Sequence, residues 1–301
     1  MTMSHAADRT TANAGATESE TATATTTGTG RTDRWLVGGL VVLAAGLAFN
    51  AVIGPLVADL IDYPFSESIG YQTLGLEAVT LAVVVPWALV AAVLVHRGHR
   101  AGPLAAIPPS GYAAYMFLQY VIGPQYLTYE PVILFHLGIF VCASAVLVRA
   151  WARIDGDALP EMSRRRARYV GFAVLFFAAF TTSQYLGAFG QFIAAGPVPD
   201  WVVTDTTMYW SIVFLDLGVV VPVAVATGVG VLRGRAWATQ AAYGVVGWFV
   251  LVPISVSAMG IVMVLNDDPS TSVGQIAVLS VAALAFTLVA AWVYRPLFGS
   301  E

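Results

Sequence analysis

The sequence predicts an all-α integral membrane protein with eight transmembrane helices. Three observations carry that expectation. Of the 301 residues, 58% are hydrophobic and only 11% are charged, well below the charged share of an ordinary soluble domain. The apolar residues come in blocks of about 18 or more, the length that crosses a hydrocarbon core. None of the blocks alternates with period two, which argues against a β-barrel.

The blocks lie at about 35–58, 72–95, 104–122, 131–151, 169–193, 208–232, 237–265 and 275–294. Residues 1–33 are rich in Thr, Ala and Ser without an apolar run, and read as a disordered cytoplasmic tail. They do not read as a signal peptide, because the first block begins near Trp35 and is too long for an h-region. Cleavage near Ala48 or Ala51 is the alternative, and would leave seven spans. The transmembrane domain is thus expected over 34–301.

All 14 basic residues are arginines. With eight spans they share one side: Arg9, Arg31 and Arg34; Arg97 and Arg100; Arg149, Arg153, Arg164, Arg165, Arg166 and Arg168; Arg233 and Arg235; and Arg295. The opposite loops carry acids instead, including Asp59, Asp62, Glu67, Glu130, Asp205 and Asp268. An arginine excess marks the cytoplasmic side, so both ends are predicted inside, in the plasma membrane of a GC-rich prokaryote. Trp35, Trp151, Trp237 and Tyr294 fall at the inner boundary and Tyr63, Tyr71 and Trp210 at the outer one, the levels amphipathic rings prefer. The absence of lysine excludes a retinal Schiff base. The lone cysteine, Cys142, reads as a small buried residue.

Residues 81–98 (LAVVVPWALVAAVLVHRG) and 217–234 (LGVVVPVAVATGVGVLRG) match at 10 of 18 positions at an offset of 136. The match aligns Pro86 with Pro222, Arg97 with Arg233 and Gly98 with Gly234, which apolar bias alone does not explain. Gly54-Pro55 is echoed by Gly196-Pro197. Two parallel four-helix repeats follow, about 34–151 and 168–295, joined by a cytoplasmic linker over 152–167. Pro86 and Pro222 lie mid-helix and are expected to kink it.

Ionisable residues inside a span are expensive, and so mark candidate sites. Glu77, His136 and Asp216 qualify, all at similar depth in the outer half. Asp216 aligns with Thr80, one turn from Glu77, so each half offers a carboxylate to nearly the same surface. Asn50, Gln119 and Gln184 gather at that level, with Tyr115, Tyr120 and Tyr185 nearby in sequence. The expected site is an outward-facing polar cavity lined by Asn50, Glu77, Gln119, His136, Gln184 and Asp216. The competing reading is simple interhelical pairing.

No metal site is expected, since no ligand spacing supports Glu77, His136 and Asp216 as a set. His96 and His99 sit among Arg97 and Arg100, whose charge opposes a cation. No cofactor is expected either: bis-His haem ligation needs two histidines deep in spans, and only His136 qualifies. Neither a nucleotide-binding loop nor a nucleic-acid motif occurs.

The segment Leu215, Asp216, Leu217, Gly218, with Pro222 and then Arg233, Arg235 and Trp237, resembles a family of uncharacterised prokaryotic multi-pass membrane proteins. The resemblance covers about a quarter of the chain. It implies membership of Asp216 in a family pattern and no activity. Three functional classes stay open: a carrier or binder of a small solute or ion, a membrane-embedded enzyme acting on a lipid or quinone, and an accessory protein. An accessory role leads as a bare prior, and a carrier leads among specific activities. The bilayer is the one assured partner.

Overall fold

A computed structural model describes residues 33–194, 196 and 200–299. The expected tail up to residue 32 and Pro197 of the second Gly-Pro pair lie outside the described residues. Among the described residues every regular element is helical.

α1 (Arg34–Ala51) starts where the Asp33 side chain caps it, accepting from Leu36 N at 3.1 Å. Its buried stripe, Leu36, Leu40, Leu43, Leu47 and Asn50, recurs every three to four residues, as one helical face must. A π-helical turn over Val52–Leu56 ends it at Gly54 and Pro55. α2 (Glu67–Val79) is capped by Ser66, passes through a π-turn at Thr80–Val84, and continues as α3 (Val85–His96). α4 (Ala101–Ile122) and α5 (Val132–Ala152) follow. α6 (Arg164–Ser183) bends by 42° into α7 (Leu186–Ile193). After the short α8 (Asp200–Thr204), α9 (Thr206–Leu215) passes through a π-turn at Asp216–Val220 into α10 (Val221–Leu232). α11 (Ala236–Leu265) and α12 (Val273–Tyr294) complete the bundle.

Six of these helical stretches are long and apolar enough to cross a membrane: Arg34–Leu56, Glu67–His96, Val132–Ala152, Thr206–Leu232, Ala236–Leu265 and Val273–Leu297. The bent pair α6–α7 makes a seventh when counted as one span. α4 has the length, at 22 residues, but not the apolarity. Pro108, Pro109, Ser110, Gly111 and Gln119 dilute it, and the reason is positional. α4 packs against α1, α3, α5, α9 and α11, so protein rather than lipid covers much of it. Its prolines are accommodated locally: Pro109 has no N–H for the Ala105 carbonyl, and Trp87 Nε1 donates to that oxygen instead at 3.0 Å.

The outer helices are apolar toward the surroundings. On α12, Val281, Leu284 and Leu288 are 68%, 61% and 63% exposed. A face like this is unfavourable in water and natural in lipid. Inside, α2 meets α11 at Gly75, where a Cβ would lie 2.6 Å from the Met259 backbone.

Pro86 and Pro222 do not sit in uninterrupted α-helix. Each lies in the first turn after a π-turn, and the two π-turns begin at Thr80 and Asp216, 136 residues apart. The wider turn relieves the clash that a proline ring makes with the preceding turn.

Contacts bring the arginine-bearing ends together. Asp33 Oδ2 accepts from Arg149 Nε at 2.9 Å and Arg153 Nε at 2.5 Å. Arg100 donates to the carbonyls of Pro296 and Leu297, and Arg166 to those of Trp292 and Val293. At the opposite end Ser66 N donates to Asp205 Oδ1 at 3.2 Å, and the Ser68 and Ser270 hydroxyls meet at 3.3 Å.

Candidate functional site

Four helices and one loop build a buried polar cluster near the acid-bearing end. α1 brings Asn50, α2 brings Glu77 and α5 brings His136, at 0%, 1% and 0% exposure. α4 adds Tyr120. The segment between α1 and α2 adds Tyr63, which folds back over the bundle end. Its ring stacks on His136, with centroids 5.7 Å apart, and on Tyr120 at 5.3 Å. Phe65 stacks on Tyr63 in turn, at 5.2 Å.

Asn50 Nδ2 donates to Glu77 Oε1 at 2.9 Å, and the Tyr120 hydroxyl donates to the same oxygen at 2.7 Å. His136 Nε2 lies 3.0 Å from Asn50 Oδ1 and 3.2 Å from the Tyr63 hydroxyl. Because the Asn50 amide nitrogen is committed to Glu77, its Oδ1 is the atom that faces His136 Nε2. Burial, then the nearby Glu77, holds the Tyr63 phenol protonated far above its ordinary range.

Two atoms remain unsatisfied. Glu77 Oε2 and His136 Nδ1 are buried and have no hydrogen-bond partner. No ion pair reaches Glu77 among the described residues. An ionised carboxylate there is an uncompensated buried charge, among the most costly arrangements in a protein.

The second carboxylate is built differently. Asp216 opens the π-turn after α9. Its Oδ1 accepts from the Tyr115 hydroxyl at 2.6 Å and its Oδ2 from the Tyr185 hydroxyl at 2.5 Å. Gln119, one turn along α4, reaches the Tyr115 phenol. The position 136 residues earlier, Thr80, also meets a phenol from α4, that of Tyr112 at 3.4 Å. Tyr112 then donates to Ser255, whose own proton goes to the Leu251 carbonyl.

The six residues expected to line one cavity therefore divide. Asn50, Glu77 and His136 form one hydrogen-bonded set. Gln119 and Asp216 belong to a second, on another side of α4. Gln184 joins neither: it sits exposed at the bend between α6 and α7, where the change of axis turns it away. The first set is closed over by Tyr63 and Phe65. The sequence did not single out Tyr63 as a site residue; its one signal was a Tyr-Pro-Phe run in an otherwise acidic loop.

A groove of about 650 Å³ opens sideways between α5 and the α9–α10 stretch. Gly111 of α4 and Gly244 of α11 line it, with Phe140, Phe214, Val223 and Trp248. Tyr115, the partner of Asp216, borders it. No group of three or more His, Cys, Asp or Glu side chains suited to a metal ion occurs among the described residues.

Helices, exposed apolar faces and a buried carboxylate together define an all-helical membrane protein. No family model, curated protein or solved structure matches the chain.

Proposed function

We propose that the protein spans a prokaryotic plasma membrane eight times, as two parallel four-helix repeats with both ends cytoplasmic, and carries a small cation, the proton foremost, through Glu77. Several observations support the eight spans. α4 has spanning length and its low apolarity matches its sheltered position. The bent α6–α7 pair supplies another span, and the paired π-turns favour the duplication. A reporter fused after Phe298 is expected to be active in the cytoplasm; an outside signal would refute the topology.

The observation that carries the carrier reading is the half-satisfied Glu77. Oε1 accepts two hydrogen bonds while Oε2 accepts none. A proton or a small cation on Oε2 removes the uncompensated charge. Intramembrane acids and histidines of this kind serve proton relays. Tyr63 separates the cluster from the outer surface, so the site is occluded here, and its exchange with the outside requires Tyr63 to move. Proteoliposomes carrying a pH-sensitive dye inside test this. Wild type is expected to relax an imposed pH gradient faster than protein-free vesicles, and Glu77→Gln to lose the difference. Equal rates for wild type, variant and empty vesicles would sink the reading.

The sideways groove favours a second reading, in which an apolar substrate such as a lipid or quinone enters from the bilayer. Asp216 would then act as acid or base through Tyr115. Asp216→Asn separates the two, because it spares the Glu77 cluster.

A further inference from the structure

The turn between α10 and α11 is the counterpart, at the offset of 136, of the turn between α3 and α4. Both contain an arginine followed by a left-handed glycine: Arg97 and Gly98 (φ 66°), Arg233 and Gly234 (φ 67°). Their surroundings differ. The first turn is covered by the chain itself. Arg100 Nε donates to the Leu297 carbonyl at 3.2 Å, and its Nη2 donates to the Pro296 and Gly299 carbonyls at 3.1 and 3.2 Å. The His99 ring stacks on Phe298, with centroids 5.4 Å apart.

Nothing comparable covers the second turn. Among the described residues, no hydrogen bond or ion pair engages the guanidinium of Arg233 or Arg235, and both side chains are exposed. A cavity of about 510 Å³ lies against them. Its apolar wall is a single stripe of α10, Pro222, Val225, Ala226 and Val229, leading to Arg233, with Trp237 of α11 beside it. From Pro222 to Arg233 the stripe rises roughly 16 Å at about 1.5 Å per residue, close to half of a roughly 30 Å hydrocarbon core.

We infer that this groove is a binding site for one anionic phospholipid of the arginine-side leaflet. Its phosphate takes the acceptor role toward Arg233 and Arg235 that the 296–299 carbonyls take toward Arg100. One acyl chain lies along Pro222–Val229, and Trp237 sits at the headgroup level. Charge complementarity selects an anionic head: two guanidiniums face the groove with no acid among its lining residues. The apolar stripe selects a lipid over a free phosphate. The site is independent of Glu77.

The test is lipid binding to the purified protein in detergent, read by native mass spectrometry and by thermal unfolding. Phosphatidylglycerol is expected to bind and to raise the unfolding temperature more than phosphatidylcholine, while inorganic phosphate at the same concentration raises it not at all. The double variant Arg233→Gln/Arg235→Gln is expected to bind phosphatidylglycerol roughly thirtyfold more weakly, the equivalent of about 1 kcal/mol per arginine near the surface. Ala226→Trp keeps both charges, fills the stripe at an exposed position, and is expected to lose binding too, so the test survives if the double variant does not fold. Arg164→Gln/Arg165→Gln, exposed arginines that do not line the groove, is expected to retain it. The site would be overturned by wild-type affinity in Ala226→Trp, by an equal loss in the Arg164/Arg165 variant, or by an equal shift with inorganic phosphate.

Discussion

Glu77 and Asp216 are both carboxylates held inside the bundle by tyrosines from α4, yet one is finished and the other is not. Asp216 has one phenol for each oxygen, so neither oxygen is left without a donor. Glu77 takes both of its donors on one oxygen and leaves the other bare, at 1% exposure. The difference teaches that burial of an acid does not by itself mark a working site. A saturated acid is a joint between helices, and an unsaturated one has an opening for an exchangeable partner.

Stability should divide the two along that line. Asp216→Asn presents an N–H₂ group to one of two phenols that both donate, so a donor faces a donor. It is expected to lower stability by about 1–3 kcal/mol, read by unfolding in detergent. Tyr115→Phe should fall in the same range, because it strips one Asp216 oxygen of its donor. Tyr120→Phe is expected to be milder, about 0.5–1.5 kcal/mol, since Glu77 Oε1 keeps its bond from Asn50. Glu77→Gln should be milder still, under about 1 kcal/mol: the amide oxygen still accepts from Asn50 and Tyr120, and the amide nitrogen takes the place of a protonated Oε2. The reverse order, with Glu77→Gln the most damaging of the four, would make Glu77 an ionised structural group and end the comparison.

The smallest effect concerns the other end of the molecule. Burial pushes the Asp33 carboxyl up, but hydrogen bonds from Arg149, Leu36 N and Arg153 outweigh it and hold it below the ordinary value of 3.8. A lowered folded-state value means that the stabilisation is present at neutral pH and fades as pH falls through the acid range below that value. Because Arg149 and Arg153 are 42% and 50% exposed, the loss should not exceed about 1 kcal/mol. Asp33→Asn should remove that part of the acid sensitivity and leave the Glu77 and Asp216 contrasts unchanged.

The spans were legible because bilayer-facing helices must be apolar around most of their surface. The first block, expected at 35–58, is Arg34–Leu56, and the sixth, expected at 208–232, is Thr206–Leu232. Ends rich in polar residues were harder. α2 begins at Glu67 rather than near 72, since Ser66 caps a first turn whose polar residues resemble a loop. α6 begins inside the arginine run at Arg164. The π-turns were not legible, because their signal is one extra residue per turn rather than a composition. Depth alone puts Glu77, His136 and Asn50 at one level of the bundle, where they share hydrogen bonds. Their separation from Asp216 was not legible, because depth does not reveal which side of α4 a neighbour occupies. The surroundings of Gln184 are hidden for a related reason: a continuous apolar block conceals the bend after Ser183.

The most direct measurement of the central claim is infrared difference spectroscopy of the reconstituted protein across a pH titration, wild type beside Glu77→Gln and Asp216→Asn. The account predicts a protonated-carboxyl band in wild type that responds to pH, vanishes in Glu77→Gln and persists in Asp216→Asn. A spectrum without a titrating carboxyl in wild type, or one whose band survives in Glu77→Gln and disappears in Asp216→Asn, would contradict it.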